Sequence, residues 1–308
     1  MMSFLNFRRI EISDKDKAEQ CLKQSGFRGS EYTFGNNFVW RNIYNVEVCF
    51  WDNYYFTKQG SGQYTRFVYP AGGSGDDDDI RKVIGLIDEY TKENNLPLRI
   101  YANKHISDRI SQLFPDAVLR LERDFCDYIY LADDLENLKG KKYHAKRNHL
   151  NRFCENDWSF ELLSPENIGE CIEMSRRWRS ENIDQCEFHG DIEGKLEEFC
   201  IVECSFKYYD KLAYTGGVLR VNGEVQAFAF GESSSEDCFV VHVEKAMREY
   251  QGAYAAINRE LVKSLNGRYL YINREDDTGA EGLRKAKLSY NPIFLEEKYE
   301  VTFGGVQI

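Results

Sequence analysis

Apolar positions along the chain switch between a spacing of three to four and a spacing of two, and each switch marks an element. Ala18, Cys21 and Leu22 recur at helical spacing between Asp14 and Gln24, behind Ser13, a residue suited to an N-cap. The aromatic-rich EYTFGNNFVWRNIYN reads as a short helix or a substrate-facing loop. Strand-like runs follow: NVEVCFW and NYYFTKQ around an Asp52-Asn53 turn, then YTRFVYP ending at Pro70. The acidic GGSGDDDD leads into a helix over 80–94, where its carboxylates oppose the positive end of the helix dipole. A strand over 98–101, a helix over 106–113 and the strands AVLRLER and DYIYLA complete this half.

The second half repeats that order. SFELLS is a strand, Pro165 sits where a helix through about Arg179 would begin, and a helix from about Glu193 to Tyr208 follows. Three strands fill YTGGVLRVNGEVQAFAFGESSSEDCFVVHVEK, with Asn222-Gly223 as a hairpin turn. Helices over about 253–265 and 281–288 flank the strand RYLYIN, and the strand pair PIFLEEKYEVTF closes the chain. LRIYANKHIS in one half answers YLYINREDDT in the other, and LFPDAVLRLERDFCDYIYL answers SYNPIFLEEKYEV, at a period of about 155 residues. The pattern predicts an α+β (mixed α/β) protein built from two copies of one fold, each a mostly antiparallel sheet broken by helices. The expected division is 1–137, a basic interdomain helix over 138–155, and 156–308.

Charge narrows the partners. Lys and Arg total 40 against 51 Asp and Glu, so a net charge of -11 excludes a nucleic-acid or anionic-lipid coat over the whole surface. Any such partner must meet a local basic patch. Aromatic residues at 14% argue against bulk disorder. No run of 18 apolar residues predicts a transmembrane helix, and MMSFLNFRRIEISDKDK reaches charge too early for a signal peptide. Nine scattered cysteines point to the reducing cytoplasm.

The sharpest anomaly is LKGKKYHAKRNHLNRF, basic throughout with no acidic residue. As one helix it would align Lys139, Lys142, Lys146 and His149 on one face, with Tyr143, Arg147 and Leu150 beside them. Three readings stay open: a solvated helix paired with acidic surface, a contact for tRNA or another nucleic acid, or a site for a small phosphorylated ligand.

A second cluster is YINREDDTGAEGLRKAKLSYNP, where Asn273, Arg274, Glu275 and Asp277 stand at a strand end before Lys287 and Tyr290. His242 and Glu244, two apart on one strand face, join them as candidates. Carboxylates beside a cleft suit amine recognition or general-base work, and lysines suit a phosphate or an oxyanion. A salt-bridged surface loop is the plainer alternative. Gly252, between a strand and a helix, offers backbone amides to phosphate, though neither GxxxxGK nor GxGxxG occurs. Cys186, His189, Cys200 and Cys204 resemble a zinc array, but cysteines in an amphipathic helix are better read as core, and no metal site is expected.

The runs DYIYLADDLENLKGKKYHAKRNHLNRF, HVEKA, GAYAAINRELVK and YINREDDTGAEGLRKAKLSYNPIFLEEKY resemble uncharacterised relatives of the phosphatidylglycerol lysyltransferase C-terminal domain. The resemblance covers nearly the whole chain. It implies two tandem acetyltransferase-like (GNAT) folds, as in the Fem aminoacyltransferases, which move an amino acid from aminoacyl-tRNA to a lipid or peptide. It also implies tRNA-facing charge at Lys142, Lys146 and Arg147, and a cleft-side role for Lys287. Two departures stand out: the lysyltransferases are attached to a membrane-embedded domain, which is not expected here, and Glu249-Tyr250-Gln251-Gly252-Ala253 carries acid where an acetyl-CoA loop has Gln or Arg.

The expectation is therefore a cytoplasmic acyl- or aminoacyltransferase with its cleft in the second half and no tightly bound cofactor. Aminoacyl-tRNA or acetyl-CoA would serve as co-substrate, and the acceptor would be a small molecule, peptide or lipid headgroup. Glu244 or Glu275 would handle the amine or the proton, Lys287 the oxyanion, and Lys142, Lys146, Arg147, His149 and Gly252 the donor's phosphates. His242, Asn273, Arg274, Asp277 and Tyr290 would contact substrate. The rivals are a non-catalytic RNA-binding module on a degenerate transferase fold and an acetyl-CoA-dependent N-acetyltransferase.

Overall fold

The computed structural model describes residues 4–183 and 189–304. Its first half runs β1 (Arg8–Arg9), α1 (Lys15–Ser25), α2 (Phe34–Val39), β2 (Glu47–Trp51), β3 (Tyr54–Gln59), β4 (Arg66–Gly72), α3 (Asp77–Asn94), β5 (Arg99–Asn103), α4 (Lys104–Leu113) and β6 (Ala117–Leu121). Then come β7 (Asp127–Leu131), α5 (Ala132–Asn137), α6 (His144–Phe153), β8 (Trp158–Leu162), α7 (Ile168–Ile183), α8 (His189–Lys207) and α9 (Tyr209–Leu212). The remainder is β9 (Thr215–Val221), β10 (Glu224–Ser233), β11 (Cys238–Ala246), α10 (Ala253–Ser264), β12 (Tyr271–Asn273), α11 (Glu281–Leu288), β13 (Phe294–Glu296) and β14 (Lys298–Phe303).

Local chemistry explains the boundaries. α3 starts because the Asp76 side chain accepts from the Asp79 amide, buries Ile80, Val83, Ile84 and Ile87 on one face, and stops at Asn95 in a left-handed conformation. Two expectations are corrected. Pro165 does not open α7; the Asn167 side chain accepts from the Ser164 amide at 2.9 Å, and this turn delays the helix to Ile168. Nor is the basic segment one helix. Gly140 takes φ +88°, Lys141–Tyr143 form a tight turn, and α6 begins at His144. The break exists because Tyr143 is buried and its hydroxyl donates to the Tyr290 carbonyl.

The two sheets have the same order, read in matching directions: β1-β2-β3-β4-β5-β14-β6 and β8-β9-β10-β11-β12-β7-β13. In each, the pair β4–β5 or β11–β12 is parallel and every other neighbouring pair is antiparallel. The halves are thus two copies of one fold, as the repeated order predicts. They are not two separate segments of chain, however. β7 belongs to the first half by sequence and to the second sheet by pairing, while β14 does the reverse. The sheets therefore share the chain differently from the expected cuts at 137 and 155, because alternating hydrophobicity sets a strand's face and leaves its partner open.

The halves also share a core. Phe34, Phe38 and Tyr55 pack in one cluster with Met174, Phe206, Phe228 and Phe230. The exchanged strands begin side by side on a buried ion pair, Lys298 Nζ to Asp127 Oδ1 at 2.7 Å. Asp127 also accepts from the Ser30 amide (2.7 Å) and from Asn273 Nδ2 (2.8 Å), and Lys298 lies 2.8 Å from Glu31. Asp127 and Glu31 keep Lys298 charged against the opposing effect of its burial. Removing the lysine strands two carboxyl groups in the interior. Lys298→Met should lose about 3–5 kcal/mol in urea denaturation. The double variant Asp127→Asn/Lys298→Met should recover part of that loss, and an unchanged midpoint in the single variant would contradict this role for the pair.

Candidate active site

β11 and β12 pair only at Cys238–Val240 and Tyr271–Asn273. β12 then ends while β11 runs on to Ala246, so a wedge opens past the carboxyl end of β12, the sort of place where α/β sheets hold ligands. Two side-chain pairs bridge the wedge. His242 Nδ1 donates to Glu275 at 2.8 Å, and Arg274 Nη2 donates to Glu244 at 2.8 Å. His242 Nε2 donates to Glu232 at 2.9 Å, and Asn258 Nδ2 to the second oxygen of Glu244 at 3.0 Å. Burial disfavours charge on His242, but the bonds to Glu232 and Glu275 outweigh it and raise its pKa to about 9. At neutral pH the ring is an imidazolium donating from both nitrogens.

The first half lacks these groups. Val68 pairs with Tyr101 and Cys238 with Tyr271, and each tyrosine lies two residues before the asparagine that ends its strand. Counting on four and six residues from Val68 and Cys238, the sequence has Gly72 and Ser74 against His242 and Glu244, and β4 ends at Gly72. Tyr32 fills space beside β4 there, its hydroxyl donating to the Tyr69 carbonyl.

Next to the wedge, a cavity of about 320 Å³ lies at the N-terminus of α10, lined by Lys146, His149, Arg248, Tyr250, Gly252 and Tyr290 among others. Gly252 has φ +95°, and a Cβ there would meet the His149 carbonyl oxygen at 2.0 Å, so only glycine allows α6 so close. Lys146 Nζ sits 3.7 Å from the Tyr290 ring centre, and Arg274 lies over the same ring at 4.6 Å. Burial, reinforced by Arg274 and opposed by Glu244, holds the Lys146 ammonium down at about 8. Arg274 Nη1 is fully buried without a hydrogen-bond partner among the described residues. Glu249, the acid that stands where an acetyl-CoA loop has Gln or Arg, is exposed and does not line the cavity.

The remaining sequence candidates are engaged elsewhere. Lys142 pairs with Asp134 at 3.0 Å on the surface, and Arg147 donates to the Leu138 and Gly140 carbonyls, so both lean on the preceding turn. Lys287 is buried with its ammonium on the Arg274 and Asp276 carbonyls, where it supports the loop instead of facing the wedge. Asn273 is bound to Asp127 and to the Arg28 carbonyl. Asp277 is fully buried against Arg284, Arg123 and Tyr128; despite burial, the Arg284 bonds hold it far below the usual carboxylate range.

Its neighbour Asp276, half-buried, is pushed up to about 7 by burial and by Asp127 and Glu275, against Lys298 and Lys287. Sequence reasoning stopped one residue away from it. Glu232 and Asn258 were missed too. Their signal was a polar residue at a buried position of a strand and of a helix face. Cys186 lies outside the described residues, and among those described no cluster of three His, Cys, Asp or Glu is placed to hold a metal. No described helix is long and apolar enough to cross a membrane.

The model of the family described as "Phosphatidylglycerol lysyltransferase, C-terminal" matches residues 22–302, and the chain belongs to that family. A conserved protein of unknown function from Bacteroides thetaiotaomicron is 33% identical, with a TM-score of 0.87 over 97% of this chain and all of that one. The structure of L-PGS from Bacillus licheniformis is 16% identical, with a TM-score of 0.66 over 96% of this chain and 93% of that one. FemX, at 8% identity and a TM-score of 0.53 over 96% of both chains, shares the fold alone. An uncharacterised protein of Mycoplasmoides gallisepticum is 22% identical over 183 residues, 57% of this chain and about half, 55%, of that protein. The fold is that of two tandem acetyltransferase-like units, and family and fold together support a transferase of aminoacyltransferase type.

His242 supplies a test of the wedge. Its raised pKa stabilises the fold fully below the unfolded value near 6.5, and that stabilisation is lost as pH rises through about 9. The stability gap between the wild type and His242→Gln should narrow by on the order of 3 kcal/mol between pH 6 and pH 10. A gap that stays constant with pH would mean that the ring is neutral throughout.

Proposed function

We propose that the protein transfers an amino acid from aminoacyl-tRNA to an amine or hydroxyl acceptor, with the ester carbonyl in the wedge between β11 and β12. One observation carries the reading. Two cations, Lys146 and Arg274, lie over one ring, Tyr290; Glu244 pairs with Arg274 alone, and neither the Lys146 ammonium nor Arg274 Nη1 has a hydrogen-bond partner among the described residues. A helix N-terminus and Arg248 add to the positive field of the adjoining cavity. Such a place suits an anion, either the phosphate beside the donor's terminal nucleoside or the oxyanion formed at the ester.

The chemistry needs positioning more than covalent help. The acceptor's lone pair forms a bond to the ester carbonyl carbon. The bond from that carbon to the ribose oxygen breaks, and the ribose hydroxyl leaves with a proton equivalent to the one the acceptor loses. Asp276, titrating at about 7, suits the base that takes it. Glu275, tied to His242, orders the loop that carries Asp276 and adds negative charge for an amino group. Lys142 and Arg147 act on this reading through the shape of the turn before α6. An acyl-CoA donor is the second reading, favoured by a cavity lining that contains no carboxylate.

The test follows label from charged tRNA into acceptors. Lys146→Met should lower turnover roughly a hundredfold or more while leaving the melting temperature near that of the wild type. Lys285→Ala, on an exposed ion pair with Glu281, should change neither. The rate should rise with pH through about 7, and Asp276→Asn should abolish that limb. Full activity in Lys146→Met, or a flat profile around pH 7, would contradict the proposal.

A further inference from the structure

A cavity of about 680 Å³ opens in the first half, where the turn between β13 and β14 meets the end of α1 and the start of α4. Its size is that of a small-molecule site. Gly26, Arg28, Lys104, His105, Leu295 and Glu296 contribute to its walls. Most of its charges are already engaged. Arg28 pairs with Asp237 at 2.6 Å, Lys104 with Asp108 at 3.2 Å, and Glu297 accepts from the Tyr299 hydroxyl at 2.9 Å. The Glu296 side chain makes neither a hydrogen bond nor an ion pair with any described residue.

The unengaged carboxyl group sits in an adverse field. Burial, then the carboxylates of Glu31 and Asp127, push Glu296 up to about 7, with Lys298 and Arg28 opposing. A cation in the cavity would relieve this. A bare metal ion is a poor choice, since the described residues bring no three carboxylate, imidazole or thiolate ligands together. A carbon chain ending in an ammonium group suits the site better, because Phe27 and Leu295 give it apolar wall. We infer that this cavity binds a small organic cation through a primary ammonium group held by Glu296. The site lies on the first-half sheet's β5–α4 junction and involves none of the residues placed in the β11–β12 wedge. It therefore goes beyond the transferase reading, and its failure would leave that reading standing.

Calorimetric titration of the whole protein with putrescine, set against the uncharged isostere 1,4-butanediol, tests the inference. Putrescine should bind and the diol should not. Glu296→Gln, which keeps the side chain's size, should weaken putrescine binding roughly tenfold or more. Proton and ammonium compete for the same carboxylate, so the wild type should bind more weakly at pH 6 than at pH 8. The other charged or titratable groups that face Glu296 or line the cavity are Arg28, Lys104, His105, Asp108, Glu297, Lys298, Glu31 and Asp127. The diol comparison and the pH comparison need no variant. No binding of putrescine, equal binding of the diol, or equal affinity at the two pH values would overturn the inference. So would binding that survives Glu296→Gln and disappears in Lys146→Met, which would place the amine in the other cavity.

Discussion

Asp127 and Lys298 are the first residues of the two exchanged strands, and they meet in the interior at 2.7 Å. An unpaired charge there would be costly, so neither strand can begin elsewhere without exposing the other's partner. The other bonds of Asp127 go to Ser30, just before α2, and to Asn273, which ends β12. One ion pair thus fixes four things together: the start of β7, the start of β14, the approach of α2, and the point where β12 stops. The last of these creates the wedge. Were β12 to continue alongside β11, His242 and Glu244 would lie under a strand instead of facing Glu275 and Arg274.

A duplicated frame with a single furnished cleft follows from the same arrangement. Both halves splay a parallel pair, and both end the shorter strand on asparagine. At the same count along the chain the first half has Gly72 and Ser74 against His242 and Glu244 in the second, and Tyr32 packs beside its β4. α2 of the first half reaches across, with Gly35 so near that a Cβ would lie 2.4 Å from both Glu232 and the Tyr214 hydroxyl. The first half therefore serves the second half's site as a wall.

Much of this was legible in the chain. The Asn222-Gly223 hairpin, the amphipathic run from Glu281 to Leu288 and the repeated order of elements follow from periods and turn residues, which are local properties. His242, Glu244 and Arg274 could be singled out because they fall at alternate strand positions or at a strand end. The strand exchange could not be read, since DYIYL buries the same side chains whichever sheet receives it. The basic run was visible as composition. Its division into a turn that holds Lys142 and a helix that carries Lys146 and His149 depends on a tyrosine–carbonyl bond to Tyr290, 147 residues away. Asp276 and Asp277 look alike in sequence, and only Arg284, Arg123 and Tyr128 separate a structural carboxylate from one that titrates near neutrality.

The central claim is that the donor's 3′ end lies against Lys146. Periodate-oxidised tRNA carries a dialdehyde at that end, which forms an imine with a nearby neutral amine and is trapped by reduction with cyanoborohydride. An amine titrating at about 8 reacts ahead of ordinary lysines when it is also the one in reach. Peptide mapping of the cross-linked protein should find the nucleoside on Lys146. Modification spread over Lys139, Lys141 and Lys285, with Lys146 untouched, would contradict the account.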